Sequence, residues 1–267
     1  MGGAGLPWFG TRVEGYTNFL WVAWIALGQS LGIDPTSWSY AGGLTSFGVA
    51  IYAVWKLALT TTRDPAIALL AIVLFGTNYS VACYATGGLE TMAQTALLSL
   101  AALRALALIE RDQISRRSVL FVSLLLSAAA LTRLDSAVLG GWIGLALLWS
   151  IFRRENAKAL LVSLALPLLL VLGTWFLWKF DYYGSLLPNT FAAKVGGAGS
   201  AMENGLRYVG RFLSWYGLGP VLAVGLTGWI VGLLSKRIDS KPSSVWLLAP
   251  PLLSWLAYVV SVGGDFM

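Results

Sequence analysis

The sequence predicts an all-α, multi-pass integral membrane protein, and three observations support this prediction. Hydrophobic residues make up 57% of the 267 residues and charged residues only 11%, with a mean hydropathy of +0.74. Soluble domains carry about 25% charged residues. Apolar runs near the length that crosses a bilayer as a helix, about 20 residues, recur along the chain. A soluble enzyme is therefore excluded.

The residue types that are missing limit the chemistry. The sequence contains no histidine and a single cysteine, Cys83. This excludes imidazole catalysis, histidine metal ligation, an internal disulfide and a thiolate cluster. Any catalysis must use carboxylates, hydroxyls, amides, Lys and Arg. The net charge of +6 is typical of basic cytoplasmic loops in a multi-pass protein, so nucleic-acid binding is not indicated.

Eight transmembrane helices are predicted from apolar stretches that end at charged or turn-forming residues. They span residues 39–60, 65–82, 89–110, 117–132, 136–152, 159–180, 213–234 and 244–262. The connections between them are short, with one exception. A single membrane domain, residues 1–267, is therefore the simplest organisation.

Two further stretches do not fit the series of spans. Residues 18–33 are Trp-rich and predict an interfacial or re-entrant helix, because a full crossing would put residues 10–17 in the cytoplasm. A full crossing is the alternative. Residues 181–212 are diluted by Gly, Asn, Lys and Glu, and they predict the one long loop, on the outer side.

The distribution of Lys and Arg predicts the orientation. With eight alternating spans, 12 of the 18 basic residues lie on one side and 6 on the other. The richer side is expected to be cytoplasmic. The segments that interrupt the apolar pattern then all lie on the outer side: residues 12–18, 87–90, 131–135, 182–194 and 263–267.

Glu90 and Asp135 are the strongest local candidates for chemistry. Each lies within a turn of an apolar run, where an ionisable residue marks a functional site by default. The structural alternative for Asp135 is a pair with Arg133 or a cap on the helix that opens at Ser136. For Glu90 the alternative is an acid that complements a helix dipole.

The segment 182–194 offers ligand-binding groups. Tyr182, Asn189 and Lys194 supply hydroxyl, amide and ammonium donors that suit a sugar or a phosphate head group. The alternative is an aromatic belt with a solvated loop cation. Two more carboxylates lie near apolar runs, Glu14 in VEGYTN and Asp265 after two glycines; by themselves both patterns are weak.

Taken together, the motifs resemble those of a known protein family. The segments VEGYTNFLW, GGLET, LTRLD, YYGSLLPNTFAAK, GLRYVGRF and GGDFM occur in this order from about residue 5 to residue 267. The series resembles the GT-C superfamily of membrane glycosyltransferases. Within this superfamily, the series looks like the group that includes the terminal arabinofuranosyltransferase of mycobacterial cell walls and the ZomB-like flagellar motor control proteins.

The resemblance implies an activity and a place in the cell. Such enzymes transfer a sugar from a polyprenyl-phosphate donor to a cell-envelope glycan or other acceptor, at the outer face of the bacterial cytoplasmic (inner) membrane. The lipid-phosphate sugar is then the donor and the lipid bilayer a partner, with no nucleic acid. No spacing resembles a metal loop, but the outer carboxylates leave a divalent metal open.

The resemblance also implies roles for residues. Glu14, Tyr16 and Asn18 would line the acceptor and donor pocket, supported by Glu90 and Asp135. The donor phosphate would face Asn189 and Lys194, with Arg133 as a second candidate. The catalytic candidates are Glu14, Glu90, Asp135 and Asp265, and the substrate-binding candidates are Tyr16, Asn18, Arg133, Tyr182, Asn189 and Lys194.

The chain departs from the family at its ends. Members carry an Asp-Asp pair in the first outer loop, upstream of VEGYTN, and run on through further helices after GGDFM. Residues 1–17 then correspond to the remnant of that loop, and we expect an internal fragment that is inactive alone. The competing hypothesis is a non-enzymatic transport or assembly component. The helix break expected at Pro250 and Pro251 supports this hypothesis.

Overall fold

The protein is a bundle of α-helices, as a computed structural model of the chain shows. The structure describes residues 6–8, 11–111, 113–186, 198–217, 219, 227 and 242–264. These ranges contain ten α-helices and one short β-hairpin. The predicted all-α class is therefore confirmed. The chain divides into two compact units, residues 1–188 and 189–267.

The first unit opens with the hairpin and a short helix. Strands β1 (Leu6–Trp8) and β2 (Thr11–Val13) pair antiparallel, and β2 lies beside the helix that ends the unit. Helix α1 covers Phe19–Ser30. Twelve residues rise about 18 Å as a helix, which is too short for a hydrocarbon core of about 30 Å. This length favours the interfacial or re-entrant interpretation over a full crossing.

Helices α2, α3 and α4 follow, and a side-chain N-cap marks the start of each. Helix α2 covers Pro35–Thr62, and the Asp34 carboxylate accepts the Ser37 backbone N–H at 2.8 Å. Helices α3 (Pro65–Gly76) and α4 (Tyr79–Thr86) meet at an angle of 62°. The prediction of one span over residues 65–82 thus corresponds to two helices with a break between them.

Four helices complete the unit, and consecutive helices among the four run antiparallel. They are α5 (Thr91–Ile109), α6 (Arg116–Thr132), α7 (Ser136–Ile151) and α8 (Ala157–Tyr183). Gly184, with φ of 70°, ends α8 in the left-handed conformation that glycine adopts without strain. The predicted boundaries differ from these by at most three residues at either end.

Two apolar clusters hold the first unit together. The larger cluster joins α5, α6, α7 and α8 through fully buried side chains such as Val122, Leu147 and Leu160. The smaller one joins α2, α4 and α5 around Ala50, Ala85, Met92 and Ala96. Because α2 contributes mainly Gly and Ala to these contacts, its backbone lies close to that of its neighbours.

The described part of the chain contains fewer helices with the length and composition of a membrane span than the eight predicted. Among the described residues, α2, α5 and α8 are long and apolar enough to cross a membrane, and the bent pair α3–α4 makes a fourth candidate. Helices α6 and α7, with 17 and 16 residues, rise only about 24–26 Å. The predicted span at 213–234 lies mostly outside the described residues. Eight crossings therefore stay a prediction.

In the second unit, residues 198–212 of the loop predicted at 181–212 belong to a helix. Helix α9 covers Ala198–Trp215 and packs against α10 (Pro242–Ser261). The loop was predicted because the segment lacks a long apolar run. Its charged residues instead recur four apart, as Glu203, Arg207 and Arg211 do, which is the pattern of a helix with one polar face.

Candidate functional site

Polar and charged side chains gather at one end of the helices of the first unit. Helix α5 begins there, α6 ends, α7 begins, α8 ends, and the segment before α1 joins them. We call this set the polar layer. It comprises Glu14, Asn18, Glu90, Gln94, Arg133, Asp135 and Lys179.

Arg133 lies at the centre of one half of the layer. Its Nη1 is 3.1 Å from Glu90 Oε1, and its Nη2 and Nε lie 2.8 and 3.2 Å from Asp135 Oδ2. The side chains of Glu90 and Asp135 are only 10% and 13% exposed. One guanidinium thus satisfies two nearly buried carboxylates, with the fork geometry that arginine supplies.

This pairing bears on the structural alternatives for the two acids, and their catalytic role stays a prediction. Asp135 does pair with Arg133, as the structural alternative stated. Both acids stand at the N-cap positions of α5 and α7, but neither carboxylate accepts a hydrogen bond from its helix's first turn. Their side chains are oriented toward the guanidinium rather than toward the helix they precede.

Gln94 extends the network into α5. Its amide donates to Asp135 Oδ1 at 2.7 Å and contacts the Ser136 hydroxyl at 2.9 Å. Gln94 and Ser136 are buried. Because a buried amide must find partners, this contact fixes the start of α7 against the first turn of α5.

The segment before α1 and the first turn of α1 contact the start of α5 and the residues before it. Asn18 donates from Nδ2 to Glu90 Oε2 at 3.0 Å. One turn later, the Trp21 indole N–H donates to the Gly88 carbonyl at 3.1 Å. The VEGYTN and GGLE segments, which the sequence singled out separately, therefore lie in direct contact.

Glu14 and Lys179 form the other half of the layer. Lys179 Nζ is 2.7 Å from Glu14 Oε2, and the two side chains are 1% and 5% exposed. Neither atom makes a hydrogen bond of good angle within the described part of the chain. The ammonium also lies 4.9 Å from the centre of the Trp175 ring, a cation–π distance.

The pKa of Glu14 reflects this burial. Loss of water around the carboxyl raises its pKa above the ordinary value of 4.5, and the close contact and positive charge of Lys179 partly oppose that rise. A carboxylate with a raised pKa is a stronger base than an ordinary carboxylate.

Two tyrosines lie next to this ion pair. The hydroxyls of Tyr16 and Tyr183 are 3.5 Å apart, and burial together with this contact raises the pKa of Tyr16. Tyr182 instead stacks on Trp178 at 5.5 Å and 14°. Tyr182 therefore belongs to an aromatic cluster at the end of α8, and its predicted role in substrate binding stays a prediction.

An apolar cavity of about 320 Å³ lies beside the layer. It is bounded by α1, α2 and α5 and reaches Thr132, the residue before Arg133. Trp21, Trp24, Val49 and Leu100 line it. Its walls suit a hydrocarbon chain rather than a polar ligand.

Not every predicted site residue can be judged. Asn189, Lys194 and Asp265 lie outside the described residues. In the parts of the chain that the structure describes, no three carboxylates or thiols cluster closely enough to hold a metal ion. The guanidinium of Arg133 is occupied by two carboxylates, so its predicted contact with a donor phosphate stays a prediction.

Two members of the polar layer were missed by the sequence analysis. Lys179 had been counted only as a basic residue of the outer side, and Gln94 was not singled out. A signal existed for both, because each is a polar residue within an apolar helical run, where polar groups are costly unless partnered. Their partners, however, are distant in sequence: Glu14 for Lys179 and Asp135 for Gln94.

The polar layer thus joins five segments of the chain at one end of a helical unit. Its described charges are two cations and three carboxylates, paired with one another. Comparison with protein-family models, with curated proteins and with solved structures finds no match for this chain.

Proposed function

We propose that the chain is part of a membrane glycosyltransferase that moves a sugar from a polyprenyl-phosphate donor to an extracytoplasmic acceptor. One observation carries the proposal. Asn18, Glu90, Arg133 and Asp135, chosen from separate motifs of the sequence, form one network of hydrogen bonds and ion pairs, and Glu14, four residues before Asn18, pairs with Lys179. Ionisable groups next to apolar helices are costly and mark functional sites by default.

Glu14 is the best-placed base for this reaction. In the proposed step, the carboxylate takes the proton of the acceptor hydroxyl while that oxygen bonds to the anomeric carbon. The bond between that carbon and the phosphate oxygen breaks, and polyprenyl phosphate leaves with the bonding electrons. The raised pKa of Glu14 favours proton uptake, and a positioned base contributes about 10²–10⁴ in rate.

The other residues of the layer support this step. Lys179 contacts Glu14 and stabilises its charged form. Arg133 orients Glu90 and Asp135, and Asn18 ties Glu90 to the segment that carries Glu14. The cavity beside the layer offers apolar walls for the first isoprene units of the donor.

The proposed membrane orientation follows from charge. Arg111, Arg116, Arg153, Arg154 and Lys158 lie at the helix ends opposite the polar layer. Cationic loops are retained in the cytoplasm, so the layer would face outward. This arrangement agrees with a bacterial inner-membrane enzyme that uses a lipid-linked donor.

The test is a transfer assay on the protein purified from its native membrane. Polyprenyl-phosphoryl arabinofuranose is supplied with an arabinan oligosaccharide, and sugar transfer is followed by mass spectrometry. The whole protein that contains this chain is assayed, because the chain alone is expected to be inactive. We expect transfer by that wild-type protein and a loss of about 10²–10⁴-fold in its Glu14→Gln variant. Glu110→Gln, an exposed acid at the end of α5, serves as the matched control. No donor consumption by the wild type across a panel of polyprenyl-phosphate sugars would refute the proposal.

A transport or assembly role is the second candidate, and the break between α3 and α4 favours it. The two helices meet at 62° around Thr77 and Asn78, and broken helices line the sites of many transporters. Solute uptake into vesicles by purified protein, without use of a lipid-linked sugar, would support this candidate over the glycosyltransferase.

A further inference from the structure

Helix α9 carries three distinct faces in the second unit. One face is small and buried, with Ala201 and Gly205. A second is polar, with Glu203, Arg207 and Arg211 spaced four residues apart. The third face is apolar and open: Met202 and Leu206, also four apart, are 59% and 56% exposed.

The small face binds the end of α10. A Cβ added at Gly205 would lie 2.4 Å from the Val260 carbonyl oxygen, and one added at Gly264 would lie 2.7 Å from the Tyr208 side chain. Gly263 likewise approaches Ala201. These close approaches all join α9 to the C-terminal end of α10, where its apolar run stops.

The exposed side chains of helix α10 indicate whether lipid or water surrounds this contact. It exposes Leu252, Leu253 and Leu256 by 53%, 66% and 37%. Large apolar side chains exposed together on an apolar helix are typical of a lipid-facing surface. The end of such a helix lies at the boundary between the acyl chains and the headgroups, which is where α9 is attached.

We propose that α9 lies in the plane of the membrane surface, with Met202 and Leu206 inserted among the upper acyl chains and its charged face in water. Three ionic residues in the middle of α9, Glu203, Arg207 and Arg211, would be costly inside a bilayer, and α9 is not among the candidate spans. An amphipathic helix of this kind binds at the interface. This inference does not depend on the proposed enzymatic function.

The charge of the polar face fits a lipid surface better than a protein partner. The polar face carries two arginines against one glutamate, a balance that favours an anionic lipid surface over a neutral one. Glu203 and Arg207 pair with each other, so the remaining charge is that of Arg211.

The proposal is tested by measuring the depth of single residues in a bilayer. Cys83 is the only cysteine in the sequence and is replaced by Ser. Met202→Cys and Leu206→Cys then probe the apolar face, and Asn204→Cys and Ser214→Cys probe the polar face as matched, exposed controls. The full chain is spin-labelled and reconstituted in phosphatidylcholine–phosphatidylglycerol vesicles. Collision rates with oxygen, which partitions into lipid, and with a water-soluble nickel chelate are compared.

We expect the ratio of oxygen to nickel collisions at residues 202 and 206 to be severalfold higher than at residues 204 and 214. Equal ratios at all four positions would overturn the proposal, since the apolar face would then lie in water. Spin–spin broadening at residue 202 that grows with protein density would overturn it in favour of a second copy of the chain. Labels at 202 and 206 that neither reagent reaches would mean that protein covers the face. Two probes on each face keep the test valid if one variant fails to fold.

Discussion

Lys179 and Glu14 form a buried ion pair that joins the last turns of α8 to the segment before α1. Their charged atoms are 2.7 Å apart, and their side chains are 1% and 5% exposed. Removing two charges from water is expensive, and only a close partner offsets the cost. Each charge can therefore be buried at its position because the opposite charge lies beside it.

We expect Lys179→Met to destabilise the first unit by about 3–5 kcal/mol, the cost of leaving one member of a buried pair without its partner. Thermal unfolding in detergent, followed by circular dichroism, measures the loss. Lys158→Met removes an exposed cation from the same helix and should change stability little. The double variant Glu14→Gln, Lys179→Met should recover much of the loss, because no unpaired charge remains. A loss in the double variant as large as in the single one would contradict the pairing argument.

The Arg133 network predicts a second loss of stability. Arg133→Ala leaves Glu90 and Asp135 nearly buried and close to each other without a cation. We expect a cost of about 3 kcal/mol, at the lower end of the range for a broken buried pair, since Arg133 itself is 28% exposed. Arg116→Ala, which removes an exposed arginine at the start of α6, is the control. Equal unfolding temperatures for the two variants would show that the network contributes no stability.

The packing of α2 is tested with two glycines on the same helix. A Cβ at Gly43 would lie 2.5 Å from the Ala85 carbonyl oxygen, whereas a Cβ at Gly48 would meet nothing within 4 Å. We expect Gly43→Ala to cost about 1–3 kcal/mol through overpacking against α4. Gly48→Ala should be neutral or stabilise by up to about 1 kcal/mol through helix propensity. Similar effects of the two substitutions on thermal unfolding would be inconsistent with the close approach of α2 and α4.

The sequence predicted features set by residues that are close together along the chain, but not contacts between residues that are far apart along it. Helix boundaries follow from local patterns, such as the Asp34 and Asp64 caps before a proline at the first helical position, and most predicted spans correspond to observed helices. The pair of Arg133 with Asp135 was also within reach, because the residues are two apart. The pair of Lys179 with Glu14 was not, because no local pattern specifies which helices become neighbours.

Helix α9 was missed for a different reason. The search for spans scores the length of an apolar run, and a helix that exposes a polar face has none. Its signal lies in the period of the pattern, with Met202 and Leu206 on one face and Arg207 and Arg211 on another. In a membrane protein both signals are needed, since spans and surface helices differ in apolar length but share the helical period.

The last prediction concerns pH. Burial raises the pKa of Glu14 above 4.5 in the folded protein, so between 4.5 and the folded pKa the native state holds more protons than the unfolded state. Stability then falls as pH rises through this interval and increases as pH is lowered toward 4.5. Glu14→Gln lacks this contribution, while the other titrating groups are common to both proteins.

The measurement is the difference in unfolding temperature between the wild type and Glu14→Gln from pH 7.5 down to 4.5. We expect the difference to shift in favour of the wild type as the pH falls. A shift in the opposite direction would mean that the attraction of Lys179 outweighs the burial of Glu14, so that the carboxyl is held ionised. Such a group would be a weaker base, and the assignment of proton transfer to Glu14 would have to be abandoned even if the ion pair with Lys179 were intact.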